Sequence, residues 1–160
     1  MPVALGLDVG ERRIGVAKSD PTGLLATPLT TVVRESDRQA VAAIAELVRQ
    51  HEVEALVVGL PLGPQGEATD QSERIAAFGR RLRSIPGSRV VFSDERFTTQ
   101  TAEESLRMVR ARRGAPSARR REAERRHIDA AAAAVILQDY LDQQRSSDPS
   151  RSSEPRRPQG

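Results

Sequence analysis

Asp8 closes a short apolar run in GLDVGERRIGVA (residues 6–17), just before a turn. Asp94 and Glu95 end the run RVVFSDE, and Asp129 lies in HIDAAAAAVILQDYLDQQ, residues 127–144. Carboxylates gathered within about 4 Å repel by roughly 4 kcal/mol per pair at an effective dielectric near 20. Such a group persists by binding protons or cations. An all-oxygen donor set suits hard ions such as Mg²⁺ or Mn²⁺. Two such ions can activate water and stabilise the leaving oxygen when a phosphodiester is hydrolysed. Each acid also has a plainer role open to it. Asp8 can close an Asx turn, Asp94 or Glu95 can cap a following helix or pair with Arg96, and Asp129 suits a helix N-terminus. Spacing does not choose between Asp94 and Glu95, because neighbours on a strand point to opposite faces.

The positive charge is concentrated. The formal net charge is +3, yet residues 107–126 carry nine Arg against two Glu, and the remainder outside the C-terminal tail is net negative. A concentrated basic segment attracts polyanions, above all phosphate backbones. The alternative is a solvated Arg-rich surface in a chain whose one lysine is Lys18. The residues expected to meet nucleic acid are Arg12 and Arg13 in the first turn, Arg96, and Arg112, Arg113, Arg119, Arg120 and Arg121 in the basic segment. With three Phe, one Tyr and no Trp, a base-stacking platform is not expected, so recognition should be led by backbone and shape. His127 precedes Asp129 by two residues, but a polar residue in a first helical turn is the better reading. His51 reads as a surface residue at a helix end.

The elements that must position these residues follow from periodicity. Strands are expected over 3–8, 14–20 and 24–32, with GERR (10–13) as a turn and Pro28 favouring an edge strand. Ser36 and Gln39 have capping-box spacing, and Val41, Ile44, Leu47 and Val48 form a helical apolar face. EALVVGLPL (54–62) reads as a buried strand. Asp70 and Glu73 match a helix start ahead of Ile75, Phe78 and Leu82, and a strand ends at 95. A helix over 98–110, capped by Thr98 or Thr99, precedes the Arg-rich interruption around Gly114 and Pro116, and a last helix is expected over 127–144. This order predicts an α/β fold: a mixed five-stranded sheet with helices on both faces, and a site outside the carboxyl ends of the strands. On such a sheet Asp8 and Glu95 can converge. Asp129 would project from the helix face that carries Ala133, Ile136 and Tyr140.

Residues 1–144 are expected to form one domain and 145–160, rich in Ser, Pro and Arg, a disordered tail. There is no cysteine, so thiolate metal sites are excluded. No apolar run approaches the roughly 20 residues that span a bilayer. Met1 leads directly into a strand-like run, so no secretory leader is expected and the cytoplasm is the simplest compartment.

LGLDVGERRIGVAKSD, VVGLPLGPQG, DERFTTQTAEESL and HIDAAAAAVILQDYL, in that order over residues 3–143, resemble the YqgF family, also called RuvX. The resemblance implies an RNase H-like fold related to RuvC resolvases. It also implies divalent-metal cleavage of phosphodiesters, either in maturing the 5′ end of pre-16S rRNA or in resolving Holliday junctions. It places the metal-binding and catalytic acids at Asp8, Glu95 and Asp129, with Mg²⁺ or Mn²⁺ as cofactor. RNA is the favoured partner and branched DNA the alternative; cutting a junction would normally call for a symmetric dimer. RNase H-like nucleases often carry a fourth carboxylate, yet one turn beyond Asp129 stands Ala132. Two rivals remain. Asp8, Gly10 and Gly15 also match D-x-G-x-x-x-x-G, as in the phosphate-binding hairpin of actin-like ATPases, but those need two such domains. A non-catalytic nucleic-acid-binding module would use the arginines, but gains nothing from acids facing a phosphate backbone.

Overall fold

Strict alternation in the first hairpin sorts its side chains onto two faces, and the rest of the molecule is built on that division. The structure, a computed structural model, describes residues 2–94 and 118–147. Five strands, β1 (Val3–Val9), β2 (Arg13–Ser19), β3 (Ala26–Val33), β4 (Val53–Leu60) and β5 (Arg89–Asp94), form one sheet in the order β3-β2-β1-β4-β5. The pairs β1–β2 and β2–β3 are antiparallel, whereas β1–β4 and β4–β5 are parallel. The mixed sheet is therefore as expected. Pro28 sits on edge strand β3 where its register with β2 shifts, a position that tolerates a residue with no N–H to give.

Leu5, Leu7 and Val9 of β1, with Ile14 and Val16 of β2, face helices α1 (Asp37–His51) and α2 (Asp70–Leu82) and bury with Ile44, Val48, Ile75, Phe78 and Leu82. The Ser36 hydroxyl caps α1 by accepting from Gln39 N–H at 3.1 Å. Gln39 Oε1 accepts instead from Glu35 N–H, so the expected box is not reciprocal. Helix α2 is capped by Thr69 rather than Asp70, through a reciprocal box with Ser72. A threonine hydroxyl reaches the N3 amide, while Asp70, one residue further in, supplies charge to the first turn.

The opposite face carries small residues. Ala4, Ala17, Ala55 and Val57 pack there against Ala133, Ile136, Leu137, Tyr140 and Leu141 of α3 (Ala118–Ser147). Helix α3 corrects the expectation of a start at 127. It includes the second part of the Arg-rich segment, whose Ala, Arg and Glu are all good helix formers. The Arg126–Glu122 pair, one turn apart, supports that extension. Asp129 thus lies eleven residues into the helix, and a dipole role at its N-terminus no longer accounts for it. His127 is likewise outside the first turn. The helix ends at Ser147, beyond the expected 144. The expected helix over 98–110 and residues 148–160 lie outside the described residues. Among the described residues no helix is long and apolar enough to cross a membrane.

Candidate active site at the end of the first strand

The position of Asp8 follows from strand parity. Ala4, Gly6 and Asp8 share the face of β1 that looks toward α3, and in the β1–β2 pairing Gly6 stands opposite Ala17 and Asp8 opposite Gly15. Glycine at 15 is required by proximity. A Cβ there would lie 1.8 Å from the Asp129 carbonyl oxygen, and one at Gly6 would lie 2.6 Å from the Ala133 carbonyl oxygen and from Leu137 Cβ. Backbone of α3 therefore rests directly on the sheet. Beside it, on β3, Thr31 donates its hydroxyl to the Arg126 carbonyl at 2.6 Å. This seating brings Asp129 to the row of Asp8.

The two acids feel each other. The Asp8 carboxyl is pushed up to about 6, first by burial and then by the charge of Asp129. Asp129 is held by Arg13, whose Nε donates to Asp129 Oδ2 at 2.8 Å. Arg13 also extends NH1 to 3.9 Å from Glu122 Oε2.

The turn between β1 and β2 is fixed from below. Gly10 N–H donates to the Arg13 carbonyl at 2.9 Å, and a Cβ on Gly10 would lie 2.7 Å from that oxygen. Close approach, rather than a left-handed backbone, is what demands glycine here. Arg34 donates from its backbone to the Arg12 carbonyl at 2.8 Å and from NH1 to the Gly10 carbonyl at 2.9 Å. Its guanidinium also pairs with Asp37 and lies 4.7 Å from the centre of the Phe78 ring, tying the turn to α1 and α2.

Asp94 pairs with Leu60 and shares the face of Val90 and Phe92, which pack against the α1–α2 core. It is on the side of the sheet away from Asp8. Gly59 and Ser93 pair with each other and follow Val57 and Val91 on the α3 side. Continuing the β1–β4 register one step beyond Leu7 and Val58 sets Gly59 beside Asp8.

Of the residues expected at the site, Asp8 and Asp129 are brought together. Glu95, Arg96, Arg112 and Arg113 lie outside the described residues. Arg12 is exposed at the turn, Arg119 and Arg121 are exposed on the first turns of α3, and Arg120 belongs to the same helix. Among the described residues no three metal-ligating side chains form one cluster. Sequence reasoning passed over Glu122. Glu122 precedes Asp129 by seven residues, a spacing that puts both on one side of a helix. That signal is legible only once α3 is known to begin before 122.

The family model described as "RuvX: Holliday junction resolvase" matches residues 2–143. A protein of Syntrophus aciditrophicus named "Putative pre-16S rRNA nuclease" is 47% identical over 138 residues, covering 86% of this chain and 87% of its own. A protein of the same name from Caldanaerobacter subterraneus is 42% identical over 147 residues, covering 89% and 98%. Among solved structures, Thermus thermophilus RuvC in complex with a Holliday junction substrate superposes with a TM-score of 0.52 at 16% identity, over 90% of this chain and 96% of that one. Fowlpox virus resolvase with junction DNA gives 0.54 at 10% identity, over 89% and 98%. These structural likenesses establish an RNase H-like fold. The match of the family model over residues 2–143, with relatives 42–47% identical over most of both chains, places this chain in the RuvX family of nucleases.

Proposed function

We propose that this protein is a divalent-metal-dependent nuclease that matures the 5′ end of pre-16S rRNA. The observation that carries the reading is the meeting of Asp8 and Asp129 across the Gly15 row, with burial and mutual charge raising the Asp8 carboxyl. Two partly buried acids forced together at a strand end are a costly arrangement for stability alone. An all-oxygen pair fits Mg²⁺ or Mn²⁺. Glu95 is proposed as the third ligand because DERFTTQTAEESL resembles the family's acidic motif and Asp94 shares the face of the α1–α2 core. A divalent ion bound there supplies a Lewis acid for the scissile phosphate.

The chain's own residues do the rest. Asp8 is fixed by β1, Asp129 by the contact of α3 with Gly15, and the pair define where the reacting phosphate must lie. Arg12, next to Arg13 in the turn, and the exposed Arg119 and Arg121 at the start of α3 are assigned to neighbouring phosphates of the substrate backbone. The names of relatives favour an RNA precursor over a four-way junction.

The test compares a labelled rRNA precursor with a 5′ extension, a single-stranded RNA and a four-way DNA junction, each with Mn²⁺ or EDTA. Expected is Mn²⁺-dependent cleavage of the precursor, lost in Asp8→Asn and in Asp129→Asn. Full activity in Asp8→Asn would refute the metal role. Cleavage of the junction alone would move the substrate to branched DNA.

A further inference from the structure

The guanidinium of Arg13 occupies one of the carboxylates that the proposed function reserves for a divalent ion. Its Nε donates to Asp129 Oδ2 at 2.8 Å, and its NH1 is 3.9 Å from Glu122 Oε2. The second oxygen of Glu122 is 3.7 Å from Arg126 Nε. The side chains of Arg13 and Asp129 are only 25% and 24% exposed, whereas Glu122 is 47% exposed. The result is an inner seat for Arg13 on Asp129 and an outer one on Glu122, along one side of α3. Parity explains the reach, since Arg13 and Gly15 share the face of β2 against which α3 rests.

We infer that Arg13 is a two-position cation that competes with the divalent ion for Asp129. It sits on Asp129 when no ion is bound, and is released toward Glu122 and the substrate backbone when Asp129 binds one. The inference rests on reading Asp8 and Asp129 as the metal site. A guanidinium on Asp129 offsets the repulsion between the two acids, so the site holds its shape while empty of metal. A divalent ion takes over that neutralisation. The planar five-donor fork is then free to engage a second carboxylate or two phosphate oxygens without a change of charge. Arg13 thus acts as a positioning residue through Asp129.

The experiment is calorimetric titration of the full-length, metal-free protein with Mn²⁺, comparing wild type with Arg13→Gln, Arg13→Lys, Glu122→Gln and Asp129→Asn. Competition predicts that R13Q binds Mn²⁺ about fivefold more tightly, the change expected from removing one partly exposed ion pair. R13K, which keeps the charge, should return close to the wild-type affinity. E122Q should weaken Mn²⁺ binding by removing the outer seat, and that weakening should shrink in the R13Q/E122Q double variant. Should R13Q fail to fold, Arg13→Met, which also removes the charge while keeping an apolar stem, takes its place in the same comparison, with the same outcomes. Unchanged or weaker binding in R13Q, with D129N abolishing it, overturns the competition and leaves the metal site standing. Unchanged Mn²⁺ affinity in E122Q overturns the outer seat. Mn²⁺ binding indifferent to D129N overturns the metal site, and this inference with it.

Discussion

Asp8 is the residue at which stability and function pull in opposite directions. Its carboxyl is raised to about 6 in the folded protein, from an ordinary value near 3.8. Between those values the folded state binds more protons than the unfolded chain, so the contribution of Asp8 to stability falls as pH rises. By about pH 3, well below both values, both states are protonated and the cost vanishes; above about 6 it is complete, on the order of 2–3 kcal/mol. Asp8→Asn in EDTA-treated protein should therefore be more stable than wild type at pH 7.5, with most of the gap gone by pH 4. Denaturant melts at the two pH values check this, and a gap independent of pH would mean that Asp8 is not strained by burial. The same residue shows what a sequence reveals at this scale. A carboxylate closing the apolar run before GERR stands out as a chemical candidate. Its partner in space does not, because Asp8 and Asp129 are 121 positions apart and nothing local links them.

At the scale of elements, the contact of α3 with β1 and β2 decides where Asp129 sits. The contact is made by missing side chains: Gly6, Gly15, Ala4 and Ala17 leave room for helix backbone. Gly15→Ala would place a methyl group 1.8 Å from the Asp129 carbonyl oxygen, so helix and strand must separate. Overpacking of this kind costs about 1–3 kcal/mol. The expected outcome is a lowered thermal midpoint together with loss of Mn²⁺ binding, because Asp129 moves with its helix. A variant that melts early but binds Mn²⁺ normally would separate the packing from the site. The apolar faces of α1 and α2 were legible as 3.6-residue patterns, and Pro28 marked an edge. The true start of α3 was not. Gly114 and Pro116 suggested an interruption, and the charged stretch after them has no apolar periodicity, so only helix propensity argued for helix there.

For the whole molecule, charge is divided along α3. One side of its second half is apolar and packs on the sheet through Ala133, Ile136, Leu137, Tyr140 and Leu141, while its first half carries Arg119, Arg121, Arg125 and Arg126 at the surface. If that half lies along the substrate backbone, replacing Arg119 and Arg121 with Gln should weaken RNA binding across unrelated sequences. It should also reduce the slope of log affinity against log salt by about 0.7–0.9 for each phosphate no longer neutralised. Filter binding at several salt concentrations measures the slope, and an unaltered slope would remove these arginines from the interface. The four motifs spread over 3–143 already pointed to the RuvX family and an RNase H-like sheet, and the family match and the strand order agree with that reading.

The sequence by itself determined the strand and helix types, the edge position of β3, the acids worth attention and the basic character of the segment before Asp129. These are properties of short windows, written in alternation, helical periodicity, capping residues and local charge. Tertiary structure alone decided that Asp8 and Asp129 share a row, that Asp94 faces away from them, and that Arg13 sits on Asp129 within reach of Glu122. Each of these depends on which elements pack together and how closely. That is set by the combined volumes of side chains far apart in the chain, here by the absence of any side chain at Gly6 and Gly15.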